Sequence, residues 1–200
     1  MHYIKIPFDF IDTKWLLNHD LTKFMPYVYA YIQSHQLSYY ENHFIFSVQH
    51  LLQEIGFETQ YSCNLNSPLD QLNKCLNFLI KTQIISLDSY SETICLKDVI
   101  VGKILSSNIL KNNVDISIAD WNKINCIQYN KIKKYPIWHM YCYIIYWKTN
   151  LNNEYKRIKE ITDFCDLSYL TIKKYSKILS QNNMFQIKHS LSNRNFINCC

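Results

Sequence analysis

The chain has 200 residues, 48% of them apolar and 18% charged, a balance that excludes wholesale disorder and leaves room for one or two domains. The net charge of +5 is unevenly placed: residues 1–130 carry 9 Lys against 12 Asp or Glu, a net of −3, whereas residues 131–200 carry 12 Lys or Arg against 4 acids, a net of +8. Composition bias toward Lys and Asn does not segregate charge in this way, so a basic C-terminal part suits a polyanion such as a phosphate backbone. The longest apolar run, Ile137–Trp147, contains His139 and is too short to cross a bilayer.

In chain order, alternation over His2–Ile6 predicts a strand closed by Pro7. Asp12–Asn18 reads as a helical turn, and Pro26 opens a helix that runs through Ser34 with apolar residues nearly all round. A second helix runs from Ser47, a candidate N-cap, to Ile55, with Gly56 as its stop. A third starts at Ser67-Pro68 and turns Leu72, Cys75, Leu76 and Leu79 to one side. Ile84–Leu87 and Thr93–Leu96 then bracket a polar tip and predict a hairpin. Asp98–Leu110 reads as a linker helix capped by Asp98, or as an ordered part of either core.

The same order follows again. Val114–Ile118 alternates as a strand, and Pro136–Lys148 is a long aromatic helix. Tyr155–Cys165 is a helix with Ile158 and Ile161 inward, and Ser168 caps a further helix whose inward face is Ile172, Tyr175, Ser176 and Leu179. Phe185–Ile187 and Asn195–Asn198 bracket a second polar tip. Apolar landmarks recur at a shift of 110, pairing Pro26 with Pro136, Tyr31 with Tyr141, Leu51 with Ile161 and Phe57 with Leu167. Beyond a longer connection around Tyr61–Ser67 the shift is 100, pairing Leu72 with Ile172 and Leu79 with Leu179. An insertion confined to a loop is what a duplicated fold tolerates best. The expectation is a mainly α protein with small β wings (α+β), built as two tandem winged helix-turn-helix domains: 1–97, a linker over 98–110, and 111–200.

The sharpest local pattern is Leu167-Ser168-Tyr169-Leu170-Thr171-Ile172-Lys173-Lys174-Tyr175-Ser176-Lys177-Ile178-Leu179. It resembles the recognition helix of winged-helix regulators such as the GntR and MarR families, where a Leu-Ser turn precedes Thr-Val and two basic residues. Ser168 would satisfy the helix N-terminal amides, Tyr169 would join it in the first turn, Thr171 would point outward one turn later, and Lys173, Lys174 and Lys177 would reach phosphates or guanine edges in a major groove. Lys156, Arg157 and Lys159 open the preceding helix, and Lys188 and Arg194 flank the second hairpin. The first copy offers Gln71, Asn73 and Lys74 as a weaker, secondary DNA-binding set. The competing reading of each cluster is a solvated face.

The crowded aromatics Tyr27, Tyr29, Tyr31, Trp138, Tyr141, Tyr143, Tyr146 and Trp147 read first as core, and alternatively as a homodimerisation surface. Eight cysteines form no CxxC pair; Cys75 and Cys165 fall at periodic apolar positions, and no signal-peptide pattern is present, so reduced thiols in a cytoplasmic protein are expected. No GxxxxGK[ST] loop, His-x-His pair or paired-carboxylate grouping occurs, so no enzyme, cofactor or metal is expected. His43, His50 and His139 read as structural.

The whole-chain order resembles the tandem winged-helix replication initiators of plasmids and mobile elements. Ile6-Pro7, Tyr27-Val-Tyr-Ala-Tyr31 and Phe46-Ser-Val-Gln-His-Leu-Leu-Gln-Glu-Ile-Gly56 are similar to DnaD-type replication proteins of low-GC Gram-positive bacteria and their phages. The C-terminal helical domain of that family is absent from this sequence. The resemblance implies a non-enzymatic binder of double-stranded DNA in replication initiation, with replication proteins as further partners. A transcriptional regulator, or a protein–protein adaptor of a replication complex, are the alternatives.

Overall fold

Two passes of similar element order, the first with two short helices where the second has one, are joined along a shared seam. The structure is a computed structural model that describes residues 3–37, 39–40, 42–57, 67–89, 93–105, 112–127, 133–151, 156–189 and 195–199. The first pass comprises β1 (Tyr3–Pro7), α1 (Phe8–Ile11), α2 (Thr13–Asn18), α3 (Met25–Ser34), β2 (His43–Ser47), α4 (Val48–Ile55), α5 (Pro68–Lys81), β3 (Ile85–Leu87) and β4 (Val99–Ile104). The second comprises β5 (Asn113–Ser117), α6 (Ile118–Asn125), α7 (Lys134–Leu151), β6 (Lys156–Arg157), α8 (Ile158–Cys165), α9 (Tyr169–Gln181), β7 (Phe185–His189) and β8 (Asn195–Cys199). The architecture is mixed α+β, helix-rich, with small antiparallel sheets ordered β2-β4-β3, β6-β8-β7 and β1-β5.

Local chemistry sets these elements, and it repeats at the spacing of the apolar landmarks. Ser47, Ser67 and Ser168 each accept a backbone N–H at the start of α4, α5 and α9, which satisfies donors the helix itself leaves orphaned. α4 ends on Gly56 at φ 97°, and α8 ends 110 residues later on Asp166 at φ 46°. Glycine enters the left-handed region without steric cost, whereas aspartate tolerates it only as a single residue. After α5 and α9 the chain reverses through Gln83 (φ 57°) and Asn183 (φ 55°), 100 residues apart. Each reversal is closed by the same backbone bond, Ile84 N–H to the Leu79 carbonyl and Met184 N–H to the Leu179 carbonyl.

Three expectations need correction. The strand that closes the first hairpin is Val99–Ile104, not Thr93–Leu96, and the linker helix over 98–110 does not form across that stretch. Val99, Ile100, Val101 and Ile104 are β-branched, and the strand they form pairs on one side with β2 and on the other with β3. At the centre of this sheet Gly102 is required by close approach, because a Cβ there would lie 2.3 Å from the Ser86 carbonyl oxygen and 2.9 Å from the Phe44 ring. Asp98 caps the Cys95 N–H rather than a helix. Second, α8 starts at Ile158, three residues later than the sequence suggests, because Lys156 and Arg157 are held as a short strand against β8. Third, Ile118 begins helix α6 instead of ending a strand, since the Ser117 hydroxyl caps the helix through the Asp120 N–H. The connection over 61–66, residues 106–110, and the second tip with Arg194 lie outside the described residues.

The buried side chains form one continuous core across both passes. Its seam pairs equivalent elements. β1 and β5 are antiparallel with Lys5 opposite Asp115, positions 110 apart, so the pairing is self-complementary about that point in the manner of a two-fold contact. The equivalent helices α3 and α7 also pack together. Trp138 is fully buried and donates its indole N–H to the Pro26 carbonyl at 3.1 Å, and Tyr27 donates to Asn125 at 2.6 Å. Trp121 stands edge-on to Trp138 and tilts against Tyr27. Lys23 pairs with Asp166 at the end of α8 (3.2 Å), while its counterpart Lys133 lies 4.4 Å from the centre of the Phe57 ring beyond α4. The aromatic faces weighed as a homodimerisation surface are therefore largely consumed inside the chain: Tyr27, Tyr29, Tyr31, Trp138, Tyr141 and Tyr143 are buried.

His139 is sealed in this seam. It donates through Nε2 to the Ile11 carbonyl at 2.8 Å, and its Nδ1 is buried without a partner. Burial pushes its pKa down from 6.5 to about 4, with Lys23 adding to the effect and the bond to Ile11 opposing it. The unfolded chain therefore takes up a proton below pH 6.5 that the folded chain refuses until about pH 4. Stability should be insensitive to this group above pH 6.5 and fall by on the order of 3 kcal/mol between pH 6.5 and 4. His139→Gln should remove that component of the slope in urea titrations at a series of pH values. Trp138→Ala should cost about 3–5 kcal/mol. Because the core is continuous, urea unfolding followed in both passes should remain one transition, shifted as a whole.

Candidate nucleic-acid interface

Helix α9 is anchored by apolar side chains on one side and carries cations on the other. Ile172, Ile178 and Leu179 are buried, and buried Ser176 returns its hydroxyl to the Ile172 carbonyl at 2.7 Å. Leu167 and Ile172, at the positions of a hydrophobic staple, both join the core. The Ser168 hydroxyl accepts the Thr171 N–H at 3.2 Å and shares a second bond with the Thr171 hydroxyl at 2.8 Å. Thr171 is thus half-buried and engaged in the cap.

The exposed face carries Tyr169, Leu170, Lys173, Lys174 and Lys177. Among the described residues, no carboxylate lies within ion-pair distance of these three lysines. Lys173 Nζ sits 5.3 Å from the centre of the Tyr169 ring, a cation–π arrangement that holds the ammonium over the first turn. Helix α8 packs against α9 and contributes exposed Lys159.

Lys156 and Arg157 do not open α8, as the sequence suggested; they form β6. Arg157 is exposed, and both Arg157 and Lys188 are register partners of Phe196 on β8, which places them in one row across the second sheet. The backbone alone is described for Lys156 and Lys188.

The equivalent helix of the first pass is chemically different. Gln71 accepts from the Thr22 hydroxyl at 3.2 Å, and Asn73 accepts the Ile94 N–H at 3.1 Å. Lys74 pairs with Asp20 at 2.9 Å and with Asp70 at 3.8 Å. Its pKa is raised, chiefly by the hydrogen bond to Asp20. Each residue of the secondary set therefore has an intramolecular partner, in contrast to the lysines of α9.

No known family model, curated protein or solved structure matches this chain. Its reading rests on the geometry above. Among the described residues no group of three His, Cys, Asp or Glu is placed to hold a metal ion, and no helix is long and apolar enough to cross a membrane. His50 bonds Tyr31 at 2.9 Å and His139 bonds Ile11. Cys75 and Cys165 are buried at their periodic positions.

Sequence reasoning passed over one exposed residue of this face, Leu170. The signal was available: at about 100° per residue, Leu170 falls close to the azimuths of Lys174, Lys177 and Gln181, away from the buried stripe.

Proposed function

We propose that this chain is a non-enzymatic double-stranded DNA-binding protein whose two passes are tandem winged-helix units, with α9 as the recognition helix entering the major groove. The contrast between Lys173, Lys174 and Lys177, which point outward and have no carboxylate partner among the described residues, and Lys74, which is locked between Asp20 and Asp70, carries this reading. The unit order also supports it: helix, short strand, two helices and a hairpin, with the first strand paired to the last, as in both three-stranded sheets. The excess of +8 over residues 131–200 supplies the field for a polyanion, and the −3 over residues 1–130 leaves the first unit a poor phosphate reader. The role we assign is replication initiation of a phage or mobile element, in the cytoplasm, with regulation of transcription as the competing use of the same site.

One observation favours a second task for the first unit. Ile45 and Val99 are 42% and 55% exposed on neighbouring strands of its sheet, which suits contact with a protein of the replication complex.

Salt dependence tests the DNA reading. With about five to seven phosphate contacts, log K against log salt should fall with a slope of roughly −0.9 per contact. Replacing Lys173 and Lys174 by Ala should flatten the slope by up to two contacts, while Lys74→Ala should leave it nearly unchanged. Absence of duplex binding even at low salt would sink the proposal. Selection of bound fragments separates the two uses: repeated sites beside an origin indicate initiation, and a lone promoter operator indicates regulation.

A further inference from the structure

The first turn of α9 exposes two large apolar side chains, Tyr169 (48%) and Leu170 (76%). Among residues of the second pass whose side chains are described, these are the large apolar groups left in water. Tyr169 has Lys173 over its ring. Leu170 lies near the middle of the cationic face, with Lys174 and Lys177 within about 40° of it around the helix and Lys173 within about 60°. No acid occurs anywhere in Tyr169–Gln181.

Three features single Leu170 out as a reader. Its neighbour Thr171, a polar residue expected to point outward, is tied to Ser168 by the cap. A recognition helix presents its N-terminal residues to base edges, and Leu170 is the second residue of α9. On the major-groove edge the thymine methyl is the apolar group an aliphatic side chain can cover. The corresponding position of α5, 100 residues earlier, is Asp70, which faces Lys74 and cannot make such a contact.

We infer that Leu170 is a specificity-determining residue that covers the C5-methyl group of a thymine in the target. This rests on the DNA reading above and adds to it a defined base. The lysines hold the helix against phosphates without regard to sequence, and Leu170 supplies discrimination through apolar contact.

The test uses the full chain and a tight-binding duplex selected from a random library. Each thymine in turn is replaced by deoxyuridine, which removes the methyl group and nothing else. For the unaltered chain, replacement at one or two adjacent positions should weaken binding about fourfold, the effect of exposing one methyl-sized apolar group. Leu170→Ala, a solvent-exposed substitution that should leave the thermal transition in place, should bind the thymine and deoxyuridine duplexes equally well at those positions. Deoxyuridine without effect at every position overturns the inference. So does a Leu170→Ala chain that stays as sensitive as the original. In either case a salt slope that still responds to Lys173 and Lys174 leaves the DNA reading standing. Failure to select any duplex overturns both.

Discussion

The seam between the two passes is the constraint on which the rest depends. Strands β1 and β5 meet in antiparallel register about Lys5 and Asp115, and the aromatic helices α3 and α7 close over them. A helix such as α3, buried on nearly every side, has no stable position on the surface of a 100-residue unit. Pairing each unit's aromatic helix with its equivalent removes that problem, as an isologous dimer interface would, with the two halves in one covalent chain. The Trp138 indole N–H, the Tyr27 hydroxyl and His139 Nε2 donate across the seam to Pro26, Asn125 and Ile11. That choice fixes how the outer helices sit, because α5 and α9 are packed onto the same core.

A symmetric frame has been put to unsymmetric use. Lys23 and Lys133 occupy equivalent positions, yet one finds a carboxylate beyond α8 and the other an aromatic face beyond α4. The division is sharper on the outer helices. On α5 Gln71 is bound to the loop before α3 and Asn73 to the segment before β4, and Lys74 is paired with two aspartates. On α9 the cap is self-contained and the lysines remain available. The two passes share packing and capping, which act through apolar spacing and single hydroxyls, while their surface charges differ, a difference that costs the fold little.

Much of this frame was legible in the amino-acid order. Caps at Ser47, Ser67 and Ser168, the stop at Gly56, and the 110 and 100 spacings are local signals, and the helices they delimit are present. The first hairpin was misplaced because Asp88-Ser89 marks a turn, whereas the strand that returns lies ten residues farther on, after a segment held by Asn73 and Asp98. The Asn73 contact is tertiary, and no local pattern announces it. The β1–β5 pairing joins residues 110 apart and was equally invisible, as was the strand character of Lys156 and Arg157, which depends on β8. On α9 the lysines were readable from spacing, but the loss of Thr171 to its cap and the prominence of Leu170 needed coordinates.

The central claim is that duplex DNA is held on one face of α9. Lysine reactivity toward reductive methylation, measured residue by residue with and without a bound duplex, tests it directly. The account predicts protection of Lys173, Lys174 and Lys177, with Lys74, Lys103 and Lys123 unchanged. Equal labelling of the α9 lysines in both states, or protection centred on Lys74 instead, would contradict it.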